Sequence, residues 1–138
     1  MKIAVLFGGI SAEKEISLAT GRYIYQLLEQ ARFIGTPVFL DQNGRIWQIP
    51  DKLVIQNTTK DIDLRLEKDA VQLKYEDLSQ KFDVVFSALL GKFGEDGCIQ
   101  GVLELTGVPY TGSGILSSAL AMDKKVMREI LTSHGFLV

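Results

Sequence analysis

The stretch KIAVLFGGISAE, residues 2–13, decides how the rest of the chain is read. Behind Lys2 the run to Phe7 is apolar without a break, the pattern of a strand buried on both faces of a parallel sheet. Gly8-Gly9 ends it, and Ser11 is placed to cap a helix. From Ala12 to about Ala31, apolar residues recur at Ile16, Ala19, Tyr23, Ile24, Leu27 and Leu28, a helical spacing. A second strand at about Pro37 to Leu40 completes a β-α-β unit.

The same alternation returns after residue 82. Asp83 to Leu89 reads as a third core strand, and a helix comes next from about Asp96 to Thr106, stopped by Gly107. Val108 to Tyr110 is a short strand, Thr111-Gly112-Ser113-Gly114 a turn, and Ile115 to Ala121 a small helix. Asp123 caps a last helix closed by Gly135. Strands alternating with helices predict an α/β fold with a doubly wound, mostly parallel sheet. Ligands of such sheets bind beyond the carboxyl ends of the strands, so Gly8 to Glu13, Leu90 to Gly97 and Thr111 to Gly114 should gather at one rim.

Residues 41–81 interrupt the pattern. Asn43-Gly44 between two apolar runs predicts a hairpin, and Ala70 to Tyr75 alternates weakly, as an edge strand does. Charged residues crowd between Lys60 and Asp69, which reads as a solvated run. The expectation is a small, peripheral β insertion with little chemistry of its own.

Composition excludes several classes. The 138 residues are 46% apolar and 23% charged, with 15 basic against 17 acidic side chains. That balance carries no basic footprint for nucleic acid or an anionic membrane. Cys98 is the only cysteine, so no internal disulfide forms and a reducing cytoplasm fits best. The apolar run at the N-terminus is short for a signal peptide, and no segment approaches a membrane span.

The rim residues each admit two readings. Gly8 and Gly9 make a tight turn, or let a ligand approach the backbone. Glu13 complements a helix dipole, or grips a ligand ammonium. Glu95-Asp96 is better read as capping a helix than as holding a metal. Thr111 to Gly114 is an anion nest or a plain connector, and lacks the spacing of a phosphate-binding loop. Lys124 and His134 read as solvated, and Cys98 as a small core residue. Leu90 stands before the first glycine of LLGKFGEDG, where a polar group is expected.

Two blocks, VLFGGISAEKEISLATG at 5–21 and FDVVFSALLGKFGEDGCIQGVLELTGVPYTGSGILSSALAMDK at 82–124, resemble the D-alanine–D-alanine ligases, ATP-grasp enzymes of peptidoglycan synthesis. The resemblance implies a Rossmann-like pre-ATP-grasp domain at 1–121, with 41–81 as its insertion. Residues 122–138 would be the leading helix of a subsequent ATP-grasp domain. It implies a reaction in which ATP phosphorylates one D-alanine and the amine of a second attacks the acyl phosphate, assisted by magnesium or manganese. The implied substrate-binding residues are Gly9, Ser11, Glu13 and Gly91, with Glu13 on the ammonium of the first D-alanine. Lys124 would stand at the entrance to the ATP site. The family's ATP clamp and metal ligands fall beyond residue 138, so this chain alone is expected to be inactive and to hold no metal. A cytoplasmic homodimer is implied as well. Two positions depart from the pattern: Lys14 replaces the usual histidine or arginine, and Leu90 the usual catalytic histidine. A non-catalytic module binding a small molecule or a partner is the alternative that Leu90 keeps open.

Overall fold

Strand β1 (Lys2–Gly8) runs through a five-stranded sheet, in a computed structural model that describes residues 1–138. Helix α1 (Lys14–Gln30) leads to β2 (Ile34–Leu40) and then β3 (Ile46–Gln48). Three short helices, α2 (Asp51–Val54), α3 (Thr59–Asp63) and α4 (Leu66–Asp69), precede β4 (Val71–Leu73). Then come α5 (Asp77–Lys81), β5 (Val84–Ser87), α6 (Cys98–Thr106), α7 (Ile115–Met122) and α8 (Lys124–Ser133). The strand order is β4-β3-β2-β1-β5. Strand β1 pairs in parallel with β2 and β5, whereas β2–β3 and β3–β4 are antiparallel. The sheet is therefore mixed: its parallel part comes from the β-α-β units, its antiparallel part from residues 41–81. The expected strand at Val108–Tyr110 is reduced to one parallel bridge, between Val85 and Tyr110.

Alternation along β1 builds two cores. Ala4 and Leu6 pack in one cluster with Ile99 and Leu103 of α6. Val5 and Phe7 pack in another with Leu18 of α1 and Phe39 of β2. Phe7 and Phe39 meet edge to face, with ring centroids 6.0 Å apart. Of the apolar spacing that marks α1 in the sequence, Ile24 and Leu28 pack against this second core, only partly buried. The fully buried residues of α1 are Ser17, Leu18 and Gly21, while Ile16 is 58% and Tyr23 61% exposed. A Cβ on Gly21 would lie 2.4 Å from Phe7, so α1 comes closer to β1 than any side chain at position 21 allows. Small residues face the sheet, and part of the apolar stripe is turned to solvent.

Residues 41–81 need correcting from peripheral to integral. The Asn43-Gly44 hairpin is present, with Gly44 at φ 77° and the Asp41 N–H donating to the Arg45 carbonyl at 2.9 Å. Beyond it, Trp47, Ile49, Leu53, Val54, Ile62 and Leu66 make up six of the 11 buried residues in the α1-side core. Buried Asp41 organises the turn: its carboxylate accepts from the N–H groups of Asn43 and Arg45, from Arg45 Nε (2.7 Å) and from Trp47 Nε1 (3.0 Å). Helices of four or five residues are too short to show a period, which hides this layer from pattern reading.

At the other end, Gly107 takes the left-handed conformation (φ 72°) that closes α6. Asp123 caps α8 as expected, accepting from the Lys125 and Val126 N–H groups. No residue of α8 is buried. No helix is long and apolar enough to cross a membrane.

Candidate functional site

Three loops leave the carboxyl ends of β1, β5 and the Tyr110 bridge, and two serines tie the first two together. Gly8 must be glycine: its φ is 94°, and a Cβ would lie 2.6 Å from the Phe39 ring and 2.7 Å from the Leu40 carbonyl. The Gly9 N–H donates to Leu40 O at 2.8 Å, so this glycine pair is first of all a tight turn. Ser11 is 8% exposed; its Oγ donates to the Leu90 carbonyl at 2.7 Å and accepts the Glu13 N–H at 3.0 Å. It holds one loop to the other rather than capping α1, whose N-terminal boundary residue is Glu13, without a side-chain cap. Buried Ser17 does the same one turn on, its Oγ accepting the Gly8 N–H (2.9 Å) and donating to Ala88 O (2.8 Å). The sequence reading missed Ser17. Its signal was a polar residue beside Leu18 on the face that Gly21 continues.

The second loop, 91–97, is folded on itself. Glu95 Oε2 accepts the Gly91 N–H at 2.7 Å, and Asp96 accepts those of Phe93 (2.8 Å) and Cys98 (3.1 Å). Buried Gln100 accepts the Gly97 N–H and donates to Gly94 O. The acid pair thus shapes the loop and does not open the helix, which begins at Cys98 with Gly97 as its boundary residue. Burial pushes the Asp96 carboxyl up, but the N–H groups of Phe93 and Cys98 outweigh it and hold it below its ordinary value. The hydrogen bond to Asp96, then burial, pushes the Cys98 thiol up. Cys98 is exposed, not a core residue.

These ties bring Ser11, Glu13, Leu90 and Gly91 into one cluster. A Cβ on Gly91 would lie 3.0 Å from Glu13 Oε1 and 3.3 Å from Ser11 Cβ, so glycine here leaves the exposed Glu13 carboxylate its place. Gly9 lies close by, where a Cβ would be 3.3 Å from Leu89. Leu90 is half-buried and lines a cavity of about 340 Å³ with Thr20, Phe86, Ser113 and Met122. The third loop joins through Thr111, whose Oγ1 accepts the Ser87 N–H at 3.2 Å. Lys124 is not part of this cluster; it is exposed and lines a separate depression with Lys125 and Arg128. No three His, Cys, Asp or Glu side chains are grouped so as to hold a metal ion.

Comparison with known proteins supplies the family. The family model described as "D-ala D-ala ligase N-terminus" matches residues 2–113. The chain belongs to the D-alanine–D-alanine ligase family. Among the D-alanine–D-alanine ligases most similar to it, that of Syntrophotalea carbinolica is 41% identical over 97% of this chain and 34% of its own length. That of Paramagnetospirillum magneticum is 42% identical over 99% of this chain and 36% of its own. The chain therefore spans about a third of the length of the curated ligases it matches. Solved structures similar to it include the D-alanine–D-alanine ligase of Coxiella burnetii and a D-Ala:D-Ser ligase of Enterococcus faecalis. Each has a TM-score of 0.83 at 29% identity, covering 100% and 99% of this chain and 43% of its own.

Proposed function

We propose that the chain is the substrate-binding N-terminal part of an ATP-dependent ligase that joins two D-alanines for peptidoglycan. The observation that carries this reading is the exposed Glu13 carboxylate beside Gly91, held at the rim by the Ser11–Leu90 hydrogen bond. The carboxylate is exposed and free to meet an ammonium, and Glu13 is assigned to that of the first D-alanine. Gly9, Ser11 and Gly91 shape the space around it. The Leu90 side chain neither donates nor accepts a hydrogen bond, so it serves as an apolar wall and moves no proton.

The residues present do not fit a magnesium or manganese cage. ATP and its ions are assigned to the remaining length of the ligase, with Lys124 at the approach to the nucleotide. The fold is shared with a D-Ala:D-Ser ligase, and the choice of the second substrate is assigned to the rest of the enzyme. The cytoplasm, where ATP is available and Cys98 stays reduced, is the compartment proposed. Ile16, Tyr23 and Leu27 on the outer side of α1 are the surface proposed for a homodimer.

Leu90 also favours a second reading, a non-catalytic module that binds a small molecule or a partner without turnover. A coupled ADP-release assay separates the two. The ligase that carries this N-terminal part should release ADP in a D-alanine-dependent manner, and the 138-residue chain alone should not. Leu90→His in that ligase should raise kcat by at least tenfold, since a positioned proton-transfer group contributes roughly 10²–10⁴-fold. No D-alanine-dependent release from the longer protein, with or without histidine, leaves the non-catalytic reading.

A further inference from the structure

Phe93 takes a backbone conformation that aromatic residues seldom adopt, φ +66°, and only Arg32, just past the end of α1, shares it among non-glycine residues. Three glycines, Gly91, Gly94 and Gly97, stand in the same loop. Gly94 is needed because a Cβ there would lie 2.8 Å from Leu89 Cβ, and Gly91 because of Glu13. Yet position 93, where glycine would relax the backbone, carries a phenyl ring. Its backbone is pinned on both sides: the N–H donates to Asp96 Oδ2 at 2.8 Å, and the carbonyl accepts the Ile99 N–H at 3.2 Å. The ring is 38% exposed and lines a groove of about 150 Å³ with Ile10, Tyr75, Cys98 and Val102. Ile10 lies between Gly9 and Ser11 on the first loop. The ring on the second loop and Ile10 on the first thus line one groove, and the Ser11–Leu90 hydrogen bond joins the two loops. A strained residue persists where its surroundings over-determine it, and at a ligand-facing loop the strain points to function.

We propose that Phe93 is a positioning residue, whose ring, seated in the groove it shares with Ile10, keeps the 91–97 loop in place and so holds Gly91 beside the Glu13 carboxylate that takes the substrate ammonium. The inference rests on the assignment of Glu13 given above, and its test keeps the two apart. Three variants are compared: Phe93→Gly, which relaxes the backbone and removes the ring; Phe93→Leu, which keeps apolar bulk; and Phe93→Tyr, which keeps the aromatic ring. In the 138-residue chain, amide hydrogen exchange at Gly91 and Glu13 is read beside the unfolding temperature. In the ligase carrying this part, KM for the first D-alanine is read against kcat.

Phe93→Gly should speed exchange at both amides by roughly tenfold without lowering the unfolding temperature. It should raise KM on the order of tenfold while kcat changes much less, and Phe93→Tyr should restore both. Leucine should fall between. Exchange and KM unchanged in Phe93→Gly would overturn the proposal, as would values that follow the unfolding temperature through the series instead of the ring. If the unmodified ligase does not turn over D-alanine, the Glu13 assignment has failed, and the exchange measurements alone decide whether Phe93 fixes the loop.

Discussion

Of the 38 buried residues, Ser118 alone lies beyond residue 113, although that last stretch is as apolar as what precedes it. Between residues 2 and 113, the sheet buries Val5, Leu6 and Phe7 completely and covers both faces with helices. After residue 113, α7 and α8 pack against each other, and Leu116 is 72%, Met122 41% and Phe136 62% exposed. The boundary coincides with the end of the family match at residue 113. The contrast teaches that hydrophobicity along the chain does not locate the core. What locates it is whether a helix can come close to the sheet, and here small residues decide that.

The contrast breaks most visibly at Gly21. Replacing it with valine puts a Cβ 2.4 Å from Phe7 and must lift α1 off the sheet. Overpacking of this kind costs about 3 kcal/mol or more, because backbone and not only a flexible side chain has to move. Equilibrium denaturation should show that loss, with α1 amides losing hydrogen-exchange protection first.

A smaller effect is expected at Asp41. Burial alone would raise its carboxyl, but hydrogen bonds from Arg45, Trp47 and Asn43 hold it below its ordinary value. A carboxylate lowered in the folded state contributes stability that is complete above its unfolded value of ~3.9 and is lost as pH falls through the folded value. Asp41→Asn should therefore cost about 2 kcal/mol at neutral pH, from the charge-assisted bonds given up. The gap between wild type and variant should close below about pH 4, with the asparagine variant losing less on acidification. A constant gap from about pH 7 to about pH 3 would show that packing, not charge, holds the turn.

The smallest effect sharpens the contrast. Deleting residues 124–138 removes a helix with no buried residue, so the remaining fold should lose no more than about 1 kcal/mol. A loss of several kcal/mol would mean that α8 shields the core after all.

How much of this was legible in the sequence differs by element. Strand β1 announced itself because a strand buried on both faces has no polar interruption from Ile3 to Phe7. Asp123 and Gly107 gave helix ends through cap chemistry that is local to the chain. The convergence of the first two loops came from topology alone and is now seen in the Ser11–Leu90 bond. Three things were not legible. The buried stripe of α1 depends on the absence of a side chain at Gly21, and an absence leaves no periodicity. Residues 51–69 form helices too short to carry a pattern, yet they cap one core. The internal tasks of Ser11 and Ser17 come from partners 79 and 71 residues away in sequence, which no local reading reaches.

The central claim is that Glu13 holds the ammonium of the first D-alanine. The most direct measurement is the KM for that substrate in the ligase carrying Glu13→Gln. A charge-assisted hydrogen bond of roughly 1.5–3 kcal/mol predicts a rise on the order of tenfold or more, since about 1.4 kcal/mol corresponds to a factor of ten. The fold should be unaffected, because the Glu13 side chain is exposed and makes no cap. An unchanged KM and kcat would leave Glu13 as an acidic residue at a helix start and would contradict the account.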